Sequence, residues 1–152
     1  MKPMRTTTAA IAAIASLVFC AACSHNSGTD PSLTSSSSST TAAAPTVTEA
    51  FTGTLPVGGF KFYSFNIAVN GTVNVTLQSV SGTNVPSTIQ LGLGIGQPAG
   101  NDCAATVNAT AGSSFAAPQA TGTFGPGVFC VRVYDVGNLA NTATFQISIA
   151  HP

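Results

Sequence analysis

Asn70-Gly71-Thr72-Val73-Asn74-Val75-Thr76-Leu77-Gln78-Ser79-Val80 is the stretch that decides the fold. In an extended chain Val73, Val75 and Leu77 point to one side, and Thr72, Asn74, Thr76 and Gln78 to the other. A period of two marks a strand with one buried face. Asn70-Gly71 just before it is a hairpin signal, because both residues tolerate positive φ. The residues before that turn alternate in the same way. Over Phe60–Ile67, the side chains of Tyr63, Phe65 and Ile67 share one face, and Ser64 and Asn66 take the other.

The pattern continues outward in both directions. Thr46–Gly53 reads as a first strand, and Leu55-Pro56-Val57-Gly58-Gly59 turns the chain. Thr88–Ile95 sets Ile89, Leu91, Leu93 and Ile95 on one face; Gly92 and Gly94 on the reverse predict a bulge or the close approach of another backbone. Pro98–Asn101 reads as a loop, Ser113–Phe124 as a weaker, broken strand, and Gly125-Pro126-Gly127 as a sharp turn. Val128–Asp135 is the strongest strand, with Phe129, Val131 and Val133 aligned. Ala143–Ala150 closes the chain on Phe145, Ile147 and Ile149. Nothing after residue 46 has sustained helical periodicity. About seven short strands with one apolar face each predict an all-β, antiparallel β-sandwich over residues 46–152.

Composition narrows the function classes. Only eight of the 152 residues are charged, four basic and four acidic, a 5% share against about 25% in ordinary domains. A nucleic-acid partner needs clustered Lys and Arg, which this chain lacks. Residues 46–152 keep five charges, Glu49, Lys61, Asp102, Arg132 and Asp135, beside 34 Ser, Thr, Asn and Gln. The outer faces of the sheets are therefore expected to be polar through hydroxyls and amides rather than through charge.

The N-terminus reads as an address. Lys2 and Arg5 precede an apolar run from Ala9 to Ala22, broken only by Ser16. That run is too short to span a bilayer but has the length of a signal-peptide h-region. Leu17-Val18-Phe19-Cys20-Ala21-Ala22-Cys23-Ser24 resembles the lipobox of bacterial lipoproteins, in which the Cys is lipidated after cleavage. Cys23 is the expected lipidation site, since Ala21 and Ala22 are small; Cys20 competes, with Leu17 at the favoured position but bulky Phe19 beside the cut. Ordinary cleavage after Ala22 is the alternative and gives a secreted protein. The resemblance implies palmitate on Cys23, and Ser24 in place of Asp implies the outer membrane, on its periplasmic or its surface side. Residues 1–22 are thus expected to be signal peptide, and 23–45 the lipidated Cys and its linker. Residues 24–45 hold eight Ser and four Thr and no aromatic residue, too little apolar surface to order the chain.

The domain resembles the bacterial pre-peptidase C-terminal domain. Gly53-Thr54-Leu55, Phe62-Tyr63-Ser64-Phe65-Asn66-Ile67, Gly71-Thr72-Val73-Asn74-Val75-Thr76-Leu77, Leu91-Gly92-Leu93 and Gly125-Pro126-Gly127-Val128-Phe129-Cys130-Val131-Arg132-Val133-Tyr134 occur in that family's order. The resemblance covers about residues 50–150 and implies a jelly-roll-like sandwich attached to secreted enzymes or surface proteins, some of which bind calcium, collagen or polysaccharide. Here a linker, not a peptidase, precedes the module, and the acidic cluster of the calcium-binding members has no residue-by-residue match.

Cys103 and Cys130 are the pair left outside the address, and a disulfide between them is expected in an oxidising compartment. Cys103 is placed in the loop after the Thr88–Ile95 strand, and Cys130 on the face of its strand away from Phe129 and Val131. Cys103 and Cys130 have no CxxC spacing or neighbouring His to support a metal site. His25 lies in the linker and His151 at a terminus expected to fray, so no general base and no catalytic residue is assigned. Asp102 and Asp135 are expected to cap turns. With Asn101 and Asn138 they also offer oxygen ligands to calcium, the one candidate cofactor. Arg132 and Tyr134 share a strand face and form a candidate stacking patch for sugar or protein. The sequence therefore predicts a non-catalytic, lipid-anchored envelope module for adhesion, binding or surface structure. The alternative is a soluble secreted accessory domain that binds polysaccharide or protein for a separate enzyme.

Overall fold

A computed structural model describes residues 41–113 and 117–152. Eight strands follow one another: β1 (Val47–Leu55), β2 (Phe60–Ile67), β3 (Gly71–Ser81), β4 (Gln90–Ala99), β5 (Asp102–Gly112), β6 (Ala120–Phe124), β7 (Gly127–Asp135) and β8 (Ala143–His151). They form two four-stranded sheets, ordered β1-β8-β3-β6 and β2-β7-β4-β5, with every pairing between strands antiparallel. This wrapped order is that of an eight-stranded jelly roll. The apolar faces read from sequence meet between the sheets. Val73, Val75, Leu77, Phe145, Ile147 and Ile149 come from one sheet, and Phe65, Leu91, Leu93, Ile95, Val131 and Val133 from the other.

Several boundaries depart from expectation. Residues 102–112, not read as a strand, form β5, one of the two longest. Their core-side residues are only Val107, Ala109 and Ala111, because an edge strand covers only the rim of the core; the period of two is present at low amplitude and is shifted by one residue at Thr106. Cys103 therefore lies in β5 and not in a loop. Pro98 and Ala99 belong to β4, and the turn is Gly100-Asn101. Pro98 is tolerated there because β4 stops pairing with β7 at Gly96, so no partner on that side needs its missing N–H. Of the broken strand read over Ser113–Phe124, Ala120–Phe124 forms β6. Just before it Gln119 takes over: its backbone N–H donates to the Val75 carbonyl (2.9 Å), its Oε1 accepts from the Leu77 N–H (2.7 Å), and its Nε2 donates to the Gly112 carbonyl (3.3 Å). One carboxamide thus ties β3 of one sheet to β5 of the other.

The terminus expected to fray does not. His151 ends β8 and is buried, with Nε2 3.0 Å from Glu49 Oε1 on β1. The end of the linker is also held. The Ala43 N–H donates to the Asn70 carbonyl and the Ala43 carbonyl accepts from the Thr72 N–H, a parallel bridge beside Gly71. Among the described residues no helix is long and apolar enough to cross a membrane.

Candidate functional site

The β4–β5 hairpin shapes the outer face of its sheet. Thr106 has no partner on β4: Ile95 faces Val107 while Gly96 faces Ala105, a bulge that bends β5. Beyond it the start of β5 lies over the outer face of β4. A Cβ on Gly96 would collide with the Ala104 carbonyl, and one on Gly94 with the side chain of Ala105. The sequence suggested a bulge or close backbone approach at Gly92 and Gly94; the structure sets the backbone contact at Gly96, and side chains lie over Gly92 and Gly94. The bend brings Cys103 to Cys130, whose Sγ atoms are at bonding distance, 2.00 Å, with Cα atoms 5.9 Å apart. Both cysteines are buried.

The same bend brings Asp102 to Arg132. Arg132 Nε lies 3.3 Å from Asp102 Oδ1. The pair is Coulombic rather than hydrogen-bonded: Oδ1 accepts from the Cys103 N–H at 2.7 Å, and the buried Nε finds no hydrogen-bond partner among the described residues. Arg132 also lies against two rings. Its guanidinium carbon is 4.4 Å from the Phe60 ring centroid and 5.3 Å from that of Tyr134, both within cation–π range. Register explains the grouping, since Phe60 faces Tyr134 and Phe62 faces Arg132 across β2 and β7. The Tyr134 ring lies directly on Gly92, where any side chain would meet it. The result is an open patch of Phe60, Phe62, Arg132 and Tyr134, with Asp102 at its margin and Phe60 38% exposed. Arg132 and Tyr134 were legible from β7 alone. Phe60 and Phe62 were missed, although their period-two spacing sets them opposite Tyr63 and Phe65.

Asp135 serves a different purpose. Its Oδ1 accepts from the N–H groups of Gly137, Asn138 and Leu139, and its Oδ2 accepts from the Gly58 N–H at 2.8 Å. Partial burial pushes its carboxyl upward, but the backbone donors outweigh this and hold it below the ordinary carboxylate value. The Asp135 N–H in turn donates to the Gly59 carbonyl, so the residue locks the β7–β8 loop onto the β1–β2 turn. Both oxygens are thus occupied, and Asn138 contributes its backbone N–H, which is no cation ligand. Asp102 faces Arg132 instead. The oxygen set considered for calcium is not gathered, and among the described residues no three His, Cys, Asp or Glu form a metal cluster. Cys23 lies outside the described residues. No protein-family model matches this chain, and no curated protein does.

Proposed function

We propose that the chain is a non-catalytic, lipid-anchored module of the bacterial cell envelope whose task is adhesion, binding or surface structure. The observation that carries the reading is the open aromatic–arginine patch. Ring faces stack against the C–H faces of sugars or against apolar protein groups, and a guanidinium supplies planar donors beside them. The resemblance to pre-peptidase C-terminal domains belongs to this reading and favours polysaccharide among the envelope partners.

The way the chain enters the domain supports the tether. Ala43 is pinned beside Gly71, at the end of the sandwich where β2 runs out at Ile67. The Phe60–Tyr134 pair is the opposite end of the same β2–β7 ladder. A lipid on Cys23 and a linker over 24–45, about 25 Å in mean span if unstructured, would therefore present the patch away from the membrane.

Radioactive palmitate fed to cells that express the full chain tests the anchor. Label on the wild type, lost together with membrane association in Cys23→Ala, is the expected result. A Cys23→Ala protein that still floats with membranes overturns the anchor, and a released, unlabelled wild type leaves the secreted accessory domain as the better reading. Retention on insoluble cell-wall polysaccharide tests the patch. It should fall at least tenfold in Phe60→Ala/Tyr134→Ala, and undiminished retention removes the patch from the proposal.

A further inference from the structure

Two four-stranded sheets leave four edge strands: β1 and β6 on one, β2 and β5 on the other. An open edge displays unpaired N–H and C=O groups that can template another strand, and folded domains blunt such edges. Three of the four are blunted here. On β1 the charged Glu49 reaches inward to His151, and the Thr52 carbonyl is taken by the Tyr63 hydroxyl at 2.9 Å. β2 carries Lys61. β6 is only five residues long.

The protections of β5, the charge of Asp102 and the bulge at Thr106, are confined to its first half. The bulge at Thr106 interrupts only its first half, leaving Val107–Gly112 in unbroken register and paired with β4 alone. No charge or proline occurs from Cys103 to Gly112. Apart from the Gly112 carbonyl, which Gln119 takes, no backbone group of Val107–Gly112 has a hydrogen-bond partner outside β4 among the described residues. Asn108 and Thr110 are exposed.

We propose that this edge is a strand-addition surface and that its occupant is a second copy of this chain, pairing β5 with β5 antiparallel about a two-fold axis at Ala109. An isologous contact sets a segment against itself, so any central charge would face its like; this segment has none. In that register each Asn108 faces the partner's Thr110. The amide both donates and accepts, and the hydroxyl does the same, so the exposed face is satisfied twice over. Val107 faces Ala111, and the small Ala109 side chains meet on the axis without a clash. The two sheets then continue as one of eight strands, with the patch of each copy left open.

Full-length protein extracted in mild detergent tests the proposal by sedimentation velocity. A concentration-dependent monomer–dimer equilibrium is expected, shifted at least tenfold toward monomer by Thr110→Lys. That substitution is exposed and puts a charge on the edge without touching the core. The register is tested by Ala109→Cys in intact cells. It should give a disulfide-linked homodimer on non-reducing gels, whereas Thr48→Cys on the β1 edge should not. Monomer at every concentration overturns the proposal. So does a dimer indifferent to Thr110→Lys, or an Ala109→Cys cross-link to a chain of different mass.

Discussion

At the scale of the residue, Asp135 and the β4 glycines carry the sharpest consequences. The Asp135 carboxyl titrates below its ordinary value of about 3.9 because the folded state offers its anion four backbone donors. A group whose folded pKa is depressed adds stability above the unfolded pKa, and that stability is lost as pH falls through the folded value. The wild type should therefore exceed Asp135→Asn in melting temperature at pH 6, and the gap should close below about pH 4; a gap independent of pH would show that the anion is not what holds the turn. Gly92 and Gly96 both lie under close neighbours, but of different kinds. Gly92 faces the far end of the Tyr134 ring, which can swing away; Gly96 faces the backbone of Ala104, which cannot move without parting β4 from β5. Overpacking costs about 1–3 kcal/mol. Gly96→Ala should sit at or above the top of that range and Gly92→Ala near the bottom, as read from urea midpoints. Gly92→Ala should instead weaken polysaccharide retention, because it displaces Tyr134.

At the scale of the element, the bent β4–β5 hairpin depends on its disulfide. The bridge spans 27 positions, and the chain-entropy relation gives about 3–4 kcal/mol for a loop of that length. Reductant should lower the wild-type melting temperature markedly and leave Cys103→Ala/Cys130→Ala unchanged; equal shifts in both would place the reductant's effect elsewhere. The hairpin also marks how far the sequence could be read. β2, β3, β7 and β8 were legible nearly to the residue, because large apolar side chains recur at every second position on the core side of each. β5 was not, since at a sheet's rim Ala does the work that Leu and Ile do at its centre. The same limit applied to the patch. Two of its members lie on one strand and share a visible face, but Asp102 reaches Arg132 only through the bulge at Thr106. Gln119 left no trace either, because its three hydrogen bonds run to β3 and β5, which local patterning cannot bring together.

At the scale of the whole molecule, the winding order sets how the domain forms. The first strand pairs with the last, from Val47 against His151 to Leu55 against Ala143, and β3 pairs on the far side of β8, with β6 at the edge beyond it. Neither pairing can form until distant parts of the chain meet, so the entropy of closing long loops comes due before the contacts that offset it. The Cys103–Cys130 bridge does not shorten this search, because it links β5 to β7 within one sheet and leaves β1 and β8 unjoined. Domains dominated by such non-local pairing fold in about milliseconds to seconds. Refolding of the oxidised protein from urea should therefore be slow on that scale. Phe145→Ala, which empties a buried site on β8, should cost about 3–5 kcal/mol and unfold both sheets in one transition, since the core is shared between them. Stopped-flow tyrosine fluorescence follows the β2–β7 sheet, which carries both Tyr63 and Tyr134, and stopped-flow circular dichroism follows both sheets together. Coincident traces are expected; separate phases in the two signals, or refolding faster than about a millisecond, would mean that the sheets form independently and that the β1–β8 closure does not govern the fold.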